Sequence, residues 1–271
     1  MNECLDVIVP SICRPQLIKT YNSFLLQVSF SGKFHFIIHI DVFEKNRKYL
    51  PKLLEFLNKE GINDIHINYK PSGFANAMNY LYNRIETPLY FHLEDDWTFL
   101  KRVNLDIIFN LLWRNPNITH IRLSKEKILP PSAKLIEKYS KSKEDYLLLG
   151  NQIEFDGVGL VETKIWSFNP HLALSKIPKL FFPIPPGVEP ENYMCKRYWK
   201  EYGYKGLYVF GKYGDSAYIK DIGRPSYLMR KMKTVFEILH NPSLIHKSAR
   251  IKRVIEYKGR SYNEAKENIE E

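Results

Sequence analysis

The chain has 271 residues, 44% hydrophobic and 14% aromatic, which argues against a disordered protein and allows one large domain or two small ones. Its three cysteines (Cys4, Cys13 and Cys195) form no C-x-x-C pair, which argues against a disulfide framework or cysteine zinc site and fits a reducing compartment. The formal charge is +10, and eleven Lys/Arg against three Asp/Glu between Lys220 and Arg260 account for most of it.

The opening Met-Asn-Glu has no basic region followed by a long apolar core, so no secretory leader is expected. Residues 5–9 predict a first strand ending at Pro10-Ser11. Pro15 suits the first turn of a helix to about Gln27, with Leu17, Ile18, Tyr21, Phe24, Leu25 and Val28 at helical spacing. Residues 34–40 form a continuous apolar run, the pattern of a strand covered on both faces, and it ends on Asp41. Residues 46–60 predict a helix stopped by Gly61, 65–69 a third strand, 74–85 a third helix and 89–93 a fourth strand. This alternation argues for an α/β protein with a doubly wound, mostly parallel sheet flanked by helices.

Past Trp97 the alternation loosens. A helix is expected near 105–113, a strand at 119–123 and a charged excursion of helix and loop from Pro130 to Asp145. Strand-like pieces follow between Trp166 and Leu174, while Pro178, Pro183, Pro185 and Pro186 argue against regular structure in the next connection. Residues 191–202 predict a helix stopped by Gly203, and 217–222 a short strand. From about Met229 the chain reads as a basic helical extension, so the expected units are 1–228 and 229–271. The extension suits an anionic partner, with residues 229–260 against a membrane surface, or is a solvated surface without one. No apolar run approaches the ~18 residues that span a bilayer. The expected location is therefore cytoplasmic, with scope for peripheral contact at the inner membrane face.

One stretch concentrates chemistry. The apolar run 89–93 empties into Glu94, Asp95 and Asp96, followed by Trp97. Adjacent carboxylates repel and cost desolvation energy, and a divalent cation that bridges to phosphates relieves both. Open α/β sheets bind ligands at the carboxyl ends of their strands, which is where Pro10 to Arg14, Asp41 and the three acids fall. A solvated acidic turn is the plainer alternative.

Val7-Ile-Val-Pro-Ser-Ile-Cys-Arg-Pro15 resembles the opening strand and loop of the GT-A fold, family-2-like glycosyltransferases, and Leu93-Glu-Asp-Asp-Trp97 resembles their D-x-D metal motif with a leading Glu. Gly73, Ala75, Ala77 and Asn79 are similar to the small-residue pattern before the metal strand, and Ser167-Phe-Asn-Pro170 and Asp221-Ile-Gly-Arg224 to later segments. The likeness covers about residues 5–225, with 1–100 as nucleotide-binding half and 101–228 as acceptor half. It implies a metal-dependent, inverting transfer of sugar from a nucleotide-diphospho-sugar, UDP- or GDP-linked, to a glycan, lipid-linked or protein acceptor. Pro10, Ser11 and Arg14 would line the diphosphate pocket, with Lys70 and Gly73 near the donor. Asp41 would accept a hydrogen bond from base or ribose, or serve only as a turn residue. Glu94 and Asp95 would face the ribose and the metal's surroundings, and Asp96, with Glu94, would hold Mn²⁺ or Mg²⁺. In Gly187-Val-Glu-Pro-Glu-Asn192 the implied base is Glu191, with Glu189 second. Trp97 and Trp166 are sugar platforms or core residues. His240 and His246 are a late metal ligand or surface residues.

Two other function classes stay open. A nucleotidyltransferase uses similar chemistry, but the Pro10 to Arg14 loop has no glycine. A nucleic-acid or anionic-surface binding protein would use the basic tail and leaves the acids unexplained.

Overall fold

The computed structural model describes residues 4–130, 149–155, 157–203 and 205–223. In chain order these form β1 (Cys4–Ser11), α1 (Gln16–Gln27), β2 (Val28–Ser29), β3 (Lys33–Asp41), a 3-10 turn (Glu44–Tyr49), α2 (Leu50–Lys59), β4 (Asp64–Asn68), α3 (Phe74–Arg84), β5 (Leu89–His92) and β6 (Trp97–Phe99). There follow β7 (Val103–Asn104), α4 (Leu105–Arg114), β8 (His120–Leu123), β9 (Leu149–Phe155), β10 (Val158–Thr163), β11 (His171–Leu174), α5 (Lys176–Phe181), α6 (Pro190–Tyr202), β12 (Leu207–Phe210) and β13 (Ile219–Asp221). They belong to one compact unit ending at Gly223. The expected charged excursion and basic extension, and with them His240 and His246, lie outside the described residues.

Nine strands make one sheet in the order β4-β3-β1-β5-β11-β8-β12-β10-β9. β4, β3, β1 and β5 are parallel neighbours; β11 runs antiparallel between β5 and β8; β12 is parallel to β8; and β10 and β9 form an antiparallel hairpin at the edge. The expected parallel sheet therefore holds through β5 and is broken by β11 and β10. An apolar strand pattern carries no direction of its own, since the pleat is the same read either way. Because β11 reverses direction and β8 reverses it again, the carboxyl ends of β1, β3, β5, β8 and β12 share one edge.

Alternate strand residues face opposite sides. β1 accordingly sends Leu5, Val7 and Val9 into a cluster with α1, α2 and α4, and Ile8 into another with α3, α5 and α6. Leu17, Tyr21 and Phe24 of α1 and Ala75, Met78, Leu81 and Tyr82 of α3 are buried at helical spacing. The result is three layers, helices on both faces of the sheet. One proline expectation is corrected. Pro178 sits in the first turn of α5, where its missing N–H has no intrahelical partner to lose. Trp97 and Trp166 are 4% and 0% exposed, so they are core residues and not sugar platforms.

Candidate active site

β1 ends at Ser11, and the chain then turns through Cys13 at φ 60° before α1 begins. This turn is built around one carboxylate from β5's carboxyl end. Asp95 Oδ2 accepts from Ser11 Oγ at 2.7 Å and from the Ile12 amide at 3.0 Å. Its Oδ1 accepts from Arg14 Nε at 3.1 Å and also from Arg14 Nη2. Asp95 is 1% exposed, and both its oxygens are taken by the protein. Its carboxylate therefore positions the Ser11 to Arg14 loop.

Asp96 is the carboxylate left at the rim. Its Oδ2 accepts from Arg14 Nη2 at 3.0 Å. Burial pushes its carboxyl up to about 6, with Arg14 pulling the other way and Asp95 and Asp221 adding to the rise. Asp221 arrives because β13 pairs antiparallel with β6, setting it opposite Trp97. The Ile222 amide donates to the Asp96 carbonyl at 2.7 Å, and a Cβ on Gly223 would collide with the Asp96 side chain. Only glycine allows that approach. Nothing in the sequence around Asp221 and Gly223 marks either residue as part of the site. Pairing of two short strands this far apart leaves no local signal.

Glu94 receives a hydrogen bond from Trp97 Nε1 at 3.0 Å. Burial, then the charges of Asp96, Asp95 and Glu191, push its carboxyl up to about 8. Glu191 lies in the first turn of α6, and its Oε1 accepts from the Phe168 amide at 3.2 Å. Glu189 is the N-cap of that helix, accepting from the Glu191 and Asn192 amides at 3.2 and 2.7 Å. Capping occupies it, as a carboxylate before a proline-led helix should be occupied.

The remaining site expectations fall along the same edge. Pro10 is buried within β1. Asp41, 3% exposed at the end of β3, accepts from Asn68 Nδ2 at 2.8 Å. Burial raises its carboxyl, and the Ser72 and Gly73 amides counter that. Gly73 opens α3 at φ +88°, a conformation costly for any other residue. Lys70 is exposed, its amide bonded to Asn68 Oδ1 at 3.0 Å. Gly73 and Glu189 line one surface groove, together with Phe74, Asn76 and Val188. Among the described residues, no three His, Cys, Asp or Glu side chains converge as a metal cage.

The histidines set the acid limit of the fold. His92, His120 and His171 are fully buried, with ring centroids 5.0 Å apart between His92 and His171 and 4.3 Å between His120 and His171. Burial pushes His171 down to about 3, His39 to about 4, and His92 and His120 well below the ordinary value. These four stay neutral when folded but protonate below about pH 6.5 when unfolded, so they destabilise the fold as pH falls. Glu94 and Asp96 bind protons sooner in the fold and oppose this. Four imidazoles outweigh two carboxyls: between about pH 6 and 5 stability should fall by roughly 2–3 kcal/mol per pH unit. Urea midpoints at a series of pH values check this, and a flat acid limb would refute it.

No family model matches the chain, and no curated protein matches it. Among solved structures, S. aureus TarS matches with a TM-score of 0.53 at 14% identity, over 88% of this chain and 40% of that one. TarS 1–349 in complex with UDP matches with 0.51 at 13% identity, over 80% and 60%. A mannosyltransferase, PcManGT from Pyrobaculum calidifontis, in complex with GDP-Man and Mn²⁺, matches with 0.49 at 12% identity, over 76% and 56%. The chain spans between 40% and 60% of the length of these structures. No described helix is long and apolar enough to cross a membrane. At such identity the likeness is one of architecture: the chain has a GT-A-like α/β fold.

Proposed function

We propose that the chain transfers a sugar, with inversion, from a nucleoside-diphospho-sugar to an acceptor hydroxyl. The observation that carries this is the joining of Arg14, Asp95 and Asp96 at the shared edge of β1 and β5. The UDP bound by TarS, on the same architecture, supports a nucleotide donor. Arg14 is 22% exposed, so its guanidinium holds the loop and still presents donors to a diphosphate. Asp41 and Asn68 would accept from and donate to the base or ribose.

The residues suit Mn²⁺ or Mg²⁺ as a half-site. Asp96 and Glu94 are crowded carboxyls held above their usual range, and hard cations bind through one or two carboxylates plus substrate phosphates. Such a cation would supply charge to stabilise the departing diphosphate. The acceptor oxygen forms its bond to the anomeric carbon as the bond to the diphosphate breaks, and the diphosphate leaves with the electron pair. Glu191 takes the acceptor's proton. We place the reaction in the cytoplasm, on a glycan, lipid-linked or protein acceptor. Membrane contact through residues 229–260 belongs to the part outside the described residues.

Thermal shift with UDP, GDP and their sugars, with and without Mn²⁺, tests the donor site, since a ligand of the native state raises the melting temperature. A shift that needs one nucleotide and the metal supports the reading; none with any nucleotide removes it. Glu191→Gln should keep the donor shift while turnover falls about 10²–10⁴-fold. Glu189→Gln should cost about 1 kcal/mol of stability through the weakened cap, with turnover nearly kept. Loss of turnover in Glu189→Gln alone would reassign the base.

A further inference from the structure

A second cleft opens on the same edge, two strands from the acids. β8 lies beyond β11 from β5, and its carboxyl end carries Arg122, Ser124 and the turn that follows. The cleft has a cavity volume of about 30 Å³, and Arg122, Ser124, Lys125, Glu126, Lys127 and Ile128 are among the residues that line it. Arg122 is 6% exposed and Ser124 6% exposed. Among the described residues, Arg122 Nε and Ser124 Oγ have no hydrogen-bond partner. Lys125, Glu126 and Lys127 have interactions of their own.

A guanidinium N–H removed from water without an acceptor is costly, as is an unbonded hydroxyl. Arg122 Nε and Ser124 Oγ, on one cleft, suit an oxyanion that accepts from a planar fork and from a hydroxyl at once. Hydrogen bonds tie the cleft to the reacting end. Between Arg122 and Ser124, the Leu123 amide donates to the Pro170 carbonyl at 2.8 Å, and two residues before Pro170 the Phe168 amide donates to Glu191 Oε1 at 3.2 Å. The acids, by contrast, repel an anion on the donor side, except where Arg14 offsets them.

We propose that the Arg122–Ser124 cleft binds a phosphate group carried by the acceptor, so that the sugar is added to a phosphorylated glycan or phosphorylated carrier. The substrate assignment rests on the glycosyltransferase reading; the anion site does not. Phosphate chemistry could also come from the donor's diphosphate, and the test separates the two.

The probe is inorganic phosphate, titrated calorimetrically into the full chain at fixed ionic strength. Phosphate stabilises many proteins by exclusion from their surface, so direct saturable binding is measured rather than melting alone. One phosphate should bind in the parent. Arg122→Met should weaken it at least about tenfold and Ser124→Ala by about three- to tenfold, while Arg122→Lys keeps part of the affinity. In phosphate-free buffer Arg122→Met should melt no lower than the parent, because it removes a buried N–H that has no acceptor. If that variant does not fold, Ser124→Ala decides. Absence of saturable binding in the parent, or unchanged affinity in Ser124→Ala, overturns the site. Displacement of phosphate by saturating UDP or GDP overturns its assignment to the acceptor. Asp96→Ala should bind phosphate normally. If no nucleotide binds but phosphate binding depends on Arg122, the anion site stands and the glycosyltransferase reading falls.

Discussion

Asp96→Ala is expected to turn over sugar donor about 10³-fold more slowly than the parent while melting at no lower a temperature. The two halves of this expectation have one cause. Asp96 sits at the rim with its carboxyl pushed up to about 6 by burial and by Asp95 and Asp221, so its charge is unfavourable in the fold taken alone. Arg14 keeps Asp95 when Asp96 is removed, so the β1 loop stays in place. What disappears is the carboxylate available to a cation and its diphosphate. Initial rates with and without Mn²⁺, beside thermal melts, check both halves. Turnover within tenfold of the parent would remove Asp96 from the site.

Asp95→Ala should behave in the opposite way, losing about 3–5 kcal/mol of stability, the usual cost of deleting one partner of a buried pair. Its carboxylate answers Ser11, the Ile12 amide and Arg14 together, and alanine would leave those donors facing apolar neighbours. For a domain of this size such a loss lowers the melting point by roughly 6–20 °C. Denaturant midpoints measure it, and Asp95→Asn should recover part by keeping one acceptor. A melting point equal to the parent's would mean the loop is held by something else. The adjacent acids therefore separate cleanly: one variant costs turnover, the other costs the fold.

The strands and helices of the first hundred residues were legible because their apolar spacing is local: period two or a continuous run for strands, three and four for helices. The acids at β5's end stood out because a strand seldom empties into three charges. The 3-10 turn before α2 escaped, since Asn46 to Tyr49 keeps a helix-like pattern. So did the β9–β10 hairpin, whose partly exposed strands carry little apolar signal. The ambiguity of Trp97 and Trp166 could be settled only by what packs on them.

Sequence by itself determined which chemistry is present: three acids at a strand end, an arginine in the opening loop and two glutamates beside Pro190. Only the tertiary structure decided which of them is available. Asp95 is held by Ser11 from 84 positions away, Asp96 is framed by Asp221 and Gly223 from a strand with no local signature, and Glu189 is held by its own helix. The same is true of Arg122, which reads as an ordinary strand residue until its buried Nε without a partner singles it out. The physical reason is common to all. A residue's type fixes what it can bond, but the bonds it has left over depend on donors and acceptors brought to it by strands distant in the chain.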